Sequence, residues 1–384
     1  MAALCVVGAG VGRHSRALPV DGVAPHGQTT LSRTTGTPVR ADDQEIAQRA
    51  SASASGPSQA PNASAVAVGL REAQRIAPDA SDLSATKLAA DLLAVPEDKI
   101  SILDAALSIS RVLWPPTDIT TARHEIEKIA ERIEWWVRAK GGTTDPDQRV
   151  RIINTVLYRE FGYRYDLSDR LARKLESQVL GATIATRTGT CATLPLLYYV
   201  VAERMGYPIR AVWAPQHLFL RYEDGTYHSN IDAGAEGSEY SDEEYVRKIG
   251  IPPEGIRSGA YMRSLTKRQL LANLIVGMGS TLRGQGRLRE AELIYEMALA
   301  VDPKIDEAHI GLALLAAARS NAHGMGVAGT HNQYWETAMV HAQRAMELGA
   351  PPPLSDHYWD EPPPTNPRPF DLVSYLRRQK GVTP

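Results

Sequence analysis

The chain has 384 residues, enough for two or three domains and at least one sizeable core. Its 42 Lys and Arg nearly balance 44 Asp and Glu, giving a net charge of −2, so no basic footprint for nucleic acid is present. No apolar run approaches the ~20 residues a membrane helix needs, and two cysteines, Cys5 and Cys191, are too few for a disulfide framework.

Residues 1–83 are rich in Ala, Ser, Gly, Pro and Thr and nearly free of aromatic side chains. Such a stretch buries too little apolar surface to offset its ordering entropy, so a disordered leader is expected. The small apolar start, Met1 to Gly12, lacks a basic region ahead of it. It fits the stub of a truncated export signal and leaves the compartment, cytoplasmic or exported, unassigned. Val6-Val7-Gly8-Ala9-Gly10-Val11-Gly12 imitates a dinucleotide fingerprint, but its third glycine is one position early and Pro19 falls where a crossover helix belongs.

Ordered structure is expected from Ser84. Helical spacing behind serine caps appears at Ser84 and Ser101. A third helix covers 119–140, with Ile126, Ile129, Ile133 and Trp136 on one face and Gly141-Gly142 as its stop. Another runs from Asp147 to Phe161, and residues 166–186 read as a linking segment with helical content. An apolar helix follows Cys191, burying Leu194, Leu197, Tyr198 and Val201. Three strand-like runs come next, 209–213, 217–222 and 226–231, the last two joined by the turn Glu223-Asp224-Gly225. A helical cluster before an antiparallel meander predicts an α+β domain over residues 84–265.

From Lys267 the pattern changes to helical hairpins. Gly279, Leu282, Gly286, Ala291, Tyr295, Ala298 and Pro303 carry the spacing of a 34-residue tetratricopeptide repeat. A second unit starts near Asp306, is interrupted by a glycine-rich insertion (323–332), and resumes at Thr337. Two repeats are fewer than a free-standing solenoid needs, so this all-α module (266–350) should pack on the preceding domain. The proline-rich tail (351–384) contains one docking helix, Phe370 to Leu376.

Cys191 follows the turn Arg187-Thr188-Gly189-Thr190 and opens an apolar helix. The positive end of a helix favours a thiolate, and a free thiol near pKa ~8.5 needs such help to act at neutral pH. His217 stands in one strand-like run, and Asp232 closes the next. Cysteine, histidine and carboxylate, in that order, are the parts of an activated thiol nucleophile. A buried small hydrophobe is the plainer use of Cys191, and a satisfied core histidine that of His217. A metal held by His217, His228 and Asp232 is a third use, but no ligand spacing supports it, and no metal or organic cofactor is expected.

These residues resemble the transglutaminase-like superfamily, a rearranged papain-type thiol fold. More narrowly, Asn154 to Tyr163, Leu194 to Tyr198, Pro215 to Arg221 and the late repeats resemble the bacterial SirB-type family. That family joins such a domain to tetratricopeptide repeats. The resemblance implies Cys191 as nucleophile, His217 as base and Asp232 as orienting acid. It implies acyl transfer or amide or peptide hydrolysis, with a peptide or protein substrate or partner on the repeats. The alternative is a non-catalytic scaffold, because many SirB-type members lack the cysteine. One departure is local: the position before the histidine, usually glycine, is Gln216.

Overall fold

The computed structural model describes residues 84–322, 333–352, 364 and 366–380. The expected leader with Cys5, the insertion 323–332 and residues 353–363 of the proline-rich tail lie outside the described residues.

Helices α1 (Ser84–Ala94) and α2 (Ile102–Leu113) open the fold. Ser101 caps α2, its hydroxyl accepting from the Asp104 N–H at 3.2 Å. Helix α3 (Ile119–Ala139) is capped by Asp118 and buries Ile126, Ile129 and Ile133, as the sequence spacing predicts. Helix α4 (Pro146–Asn154) gives way to a π-helical turn, Thr155–Glu160, where the sequence reads as one uninterrupted helix. At the junction the Thr155 hydroxyl donates to the Arg151 carbonyl at 2.8 Å, competing for a group the regular ladder uses.

Two strands of two residues each, β1 (Arg164–Tyr165) and β2 (Thr188–Gly189), pair in parallel. Their length is too short to show alternation, and the sequence gives no sign of them. Between them lies α5 (Leu180–Thr186). The main sheet is antiparallel in the order β3 (Ile209–Ala214), β4 (His217–Glu223), β5 (His228–Ile231), so the meander and the α+β class expected from sequence are present. Pro215 and Gln216 alone link β3 to β4, with Ala214 paired to His217. The β4–β5 turn is closed by Asp224, whose carboxylate accepts from the Thr226 and Tyr227 N–H groups at 2.9 and 2.8 Å.

Helix α6 (Thr193–Arg204) packs on β3 and β4 and on α3 and α5. Every residue from Thr193 to Ala202 is buried, where one apolar face was expected. Helix α7 (Asp242–Ile249) carries a capping box between Ser241 and Glu244, and α8 (Pro253–Ser258) follows it.

Two helix hairpins complete the chain: α9 (Lys267–Gly284) with α10 (Leu288–Val301), and α11 (Asp306–Ala322) with α12 (Gln333–Glu347). A Cβ on Gly311 would lie 2.3 Å from the Tyr295 ring, so only glycine lets α11 close on α10 at this point. The first hairpin is docked on the opening helices. Arg268 donates to the carbonyls of Leu93 and Val95, and Lys267 pairs with Glu203 at 2.6 Å. One apolar core runs from Ala85 through the sheet to Leu315 and Leu348, and a smaller cluster joins α11 and α12 to α13 (Leu372–Gln379). The helix expected in the tail is therefore present and packed. No helix among the described residues is long and apolar enough to cross a membrane.

Candidate active site

The turn ahead of α6 is knitted by threonines. The Thr190 N–H donates to the Thr193 hydroxyl at 2.9 Å, the Leu194 N–H donates to the Thr190 carbonyl at 2.9 Å, and the Thr190 hydroxyl donates to the Ser177 carbonyl at 3.1 Å. A Cβ at Gly189 would meet Thr183 and Thr193 at 2.8 Å, so the close approach of this turn to α5 requires glycine. These contacts set Cys191 one residue before Ala192, the N-cap of α6. Cys191 is the free cysteine of the described residues and is 0% exposed.

Burial dominates the ionisation of that thiol. It pushes the Cys191 pKa well above the ordinary thiol range, and the negative charge of Asp232 pushes it the same way. The helix-start acidification expected from sequence is thus outweighed: removal from water costs the thiolate more than the helix end returns.

His217 and Asp232 meet. His217 Nε2 lies 3.2 Å from Asp232 Oδ2, and both residues are buried, at 2% and 4% exposure. The register explains the contact. Leu220 pairs with Ile231, so Asp232 continues β5 and sits diagonally across from His217 on β4. Asp232 is held by its own turn: its N–H donates to the Ser238 carbonyl at 2.8 Å, and its Oδ1 accepts from the Ala235 N–H at 3.1 Å.

Tyr245, on α7, was missed from sequence. Its hydroxyl donates to Asp232 Oδ2 at 3.4 Å, the same oxygen that faces His217. Burial first, then the Asp232 charge, raise the phenol well above its ordinary range and keep it a donor. Its ring stacks on Phe219 with centroids 3.9 Å apart. The only cue in the sequence was an aromatic residue on the buried face of a short acidic helix.

Behind this group sits a buried ion network. Arg221 is 1% exposed; its Nε donates to Asn230 Oδ1 at 2.9 Å and its terminal nitrogens to Asp242 at 2.8 Å and the Met262 carbonyl at 3.2 Å. Asn230 in turn donates to Asp242 at 2.7 Å. The guanidinium fork ties β4, β5 and the start of α7 together, fixing the elements that carry His217, Asp232 and Tyr245.

A cleft of about 720 Å³ opens beside the Pro215–Gln216 turn, between Trp213 and the 171–178 segment on one side and α9, α11 and α13 on the other. Gln216 takes a left-handed backbone, φ +54°. Its side-chain amide donates to the Pro352 carbonyl at 2.9 Å.

Of the sequence-predicted site residues, His217 and Asp232 are in direct contact. Cys191 stands at the end of α6, which packs across β3, β4 and the Ala233–Ala235 turn that follows Asp232. His228 takes no part in the group: it is half exposed, and its Nδ1 lies 3.9 Å from Glu223. Among the described residues no group of three or more His, Cys, Asp or Glu side chains is placed to hold a metal ion.

Residues 120–275, from within α3 to within α9, match the family model described as Transglutaminase-like superfamily. No curated protein and no solved structure gives a match.

Proposed function

We propose that the transglutaminase-like superfamily domain at residues 120–275 performs thiol-dependent acyl transfer or amide hydrolysis through Cys191, His217 and Asp232. The observation that supports this best is the buried His217–Asp232 contact at 3.2 Å, one helix end away from the only described thiol. In this reading His217 takes the Cys191 proton as the sulfur attacks an amide carbonyl carbon. The tetrahedral oxyanion is met by the Cys191 backbone N–H. As the C–N bond breaks, His217 returns the proton to the departing amine and a thioester remains. Water or a second amine, deprotonated by His217, then attacks the thioester and restores the thiol. Asp232 orients the imidazole and stabilises its charged form. No metal or organic cofactor enters. The two hairpins are read as tetratricopeptide-type repeats of a SirB-type architecture that present a peptide or protein to this site.

The thiol is neutral and wholly buried in the resting conformation. Turnover in this reading requires an opening that admits the acyl donor. The same burial favours a second reading, a non-catalytic frame whose repeats bind a partner.

Acylation by an activated p-nitrophenyl ester separates the two. In the catalytic reading the wild-type chain releases a stoichiometric burst of nitrophenol, and mass spectrometry places the acyl group on Cys191. Cys191→Ala and His217→Ala abolish the burst. A wild-type chain that gives no burst and leaves Cys191 unmodified leaves only the frame reading standing.

A further inference from the structure

The thiol is sealed in the resting fold, and a compact loop borders it. Residues 167–178 run from the end of β1 to the start of α5. Both ends of this segment reach the turn that carries Cys191. The Asp166 N–H donates to the Gly189 carbonyl at 2.8 Å, and the Ser177 carbonyl accepts from the Thr190 hydroxyl at 3.1 Å. β1, which leads into the segment, lies against the Ala233–Ala235 turn after Asp232. The segment is thus an Ω-shaped loop between the two turns of the site, and Leu171, Ala172, Arg173, Leu175 and Gln178 form one wall of the cleft.

The loop is organised from within. Asp169 accepts from the Arg173 and Lys174 N–H groups at 2.9 and 2.8 Å, Asp166 accepts from the Ser168 N–H at 2.9 Å, and Gln178 donates to the Ala172 carbonyl at 2.8 Å. Its hold on the rest of the fold is lighter. Of Leu167, Leu171, Ala172 and Leu175, the main core takes in Leu175 alone, and Leu167 is 68% exposed. Ala172 is left-handed, φ +47°, at a buried position; such a backbone persists only while its surroundings hold it, and it collects in switch segments. Two hydroxyls tie the loop down, and each has a second partner. Thr281 of α9 donates to Gln178 Oε1 at 2.9 Å and has the Gly277 carbonyl within 3.1 Å. Thr190, which holds Ser177, has the Thr193 hydroxyl at 3.4 Å. Release therefore strands neither donor, which keeps the cost of opening low.

We propose that residues 167–178 are a lid on Cys191 and that the Thr281–Gln178 hydrogen bond latches it to the first hairpin. Asp166 is held by Gly189, and Val179 is in the core at 2% exposure, so both ends stay fixed while the loop swings. When the Thr281 hydroxyl turns to Gly277, the Asp169 staples and the Gln178–Ala172 bond are untouched, and the loop leaves as one body. The freed Ser177 and Gln178 oxygens turn to water. Opening joins the cleft to the thiol. Thr281 lies beyond the residues 120–275 matched to the family, so a helix outside the matched region sets how often the sulfur is exposed. The lid rests on the reaction proposed above only for its purpose, the admission of an acyl donor; its movement is read on the thiol without that chemistry.

The test times alkylation by iodoacetamide in the full-length protein, read on the Cys191 peptide by mass spectrometry at one fixed pH. The wild-type thiol should react slowly. Below the onset of global unfolding its rate should change little with urea, because a moving lid exposes little surface. Thr281→Val, which keeps the shape and removes the latch donor, should raise the rate about fivefold, matching the loss of one hydrogen bond, and Thr281→Ser should restore it. Gln178→Met, which also frees the Ala172 carbonyl, should raise the rate further. A rate that climbs with urea as steeply as global unfolding overturns the lid. So does a rate indifferent to both Thr281→Val and Gln178→Met, or a wild-type thiol as fast as free cysteine. Latch-dependent alkylation in a chain that gives no nitrophenol burst upholds the lid and rejects the acyl-transfer chemistry.

Discussion

His217 Nε2 and Asp232 Oδ2, 3.2 Å apart, come from two strands joined by a tight turn, so their separation is set by sheet register and not by a flexible loop. Replacing Asp232 by Asn keeps the shape and removes the charge that stabilises an imidazolium. The ester-driven acylation rate should fall by about three to four orders of magnitude. Tyr245→Phe, which deletes a 3.4 Å contact to the same oxygen, should cost less than about tenfold. Stopped-flow release of nitrophenol measures both, and an Asp232→Asn chain as fast as wild type rules the carboxylate out.

Arg221→Met should be the most destabilising single substitution near the site. It strands the Asp242 carboxylate and the Asn230 amide in a buried setting, a loss of about 3–5 kcal/mol. Arg221→Lys should recover little, because a point charge cannot reproduce three contacts in different directions. Urea denaturation at neutral pH reads the difference, and a shift below 1 kcal/mol, roughly the worth of an exposed pair, contradicts the network.

Gly189→Ala introduces a Cβ 2.8 Å from Thr183 and Thr193, and neither neighbour has free space to retreat into. A loss of about 1–3 kcal/mol is expected, as for overpacked cores. Because the same turn places Cys191, alkylation of the thiol by iodoacetamide should quicken as the turn loosens. An alanine variant with wild-type melting temperature and wild-type alkylation refutes the tight fit.

On α11 and α12, His309 Nδ1 and His341 Nδ1 lie 2.9 Å apart, a contact that needs one donor and one acceptor. His309 Nε2 also faces the Pro303 carbonyl at 3.3 Å, which makes its Nδ1 the acceptor. Burial first, then His341, lower the His309 pKa to about 4, and burial lowers that of His341 as well. A folded pKa below the unfolded value of 6.5 means the unfolded chain binds the proton more readily. The contribution is complete above pH 6.5 and is lost as pH falls toward about 4. Arg344, which also lowers the His309 value, and Glu347, which raises it, face the same pair and remain in the comparison. Melting curves taken across this window should shift less for His309→Gln than for the parent chain.

Helices α2 and α3, the three-stranded meander and the tail helix were legible because their signals are local: a serine cap, apolar spacing, a glycine stop, a turn residue. The π-helical turn was not, since its residues carry no break in the apolar spacing of the helix before it. The pairing of β1 with β2 was hidden because each strand is two residues long and its partner is distant in sequence. His217 and Asp232 were legible as a pair because sheet register follows from strand spacing. The protonation of Cys191 was not, because desolvation is a property of everything packed around a side chain, and Tyr245 reaches Asp232 from a helix whose orientation no periodicity encodes.

The unbroken core from Ala85 to Leu348 makes the opening helices and the first hairpin one cooperative body. With Arg268 anchored to the carbonyls of Leu93 and Val95, the opening helices and the first hairpin are sewn directly to one another. Cutting the chain before the first hairpin would expose that seam to water, so the hairpins and the opening helices are expected to unfold in one transition.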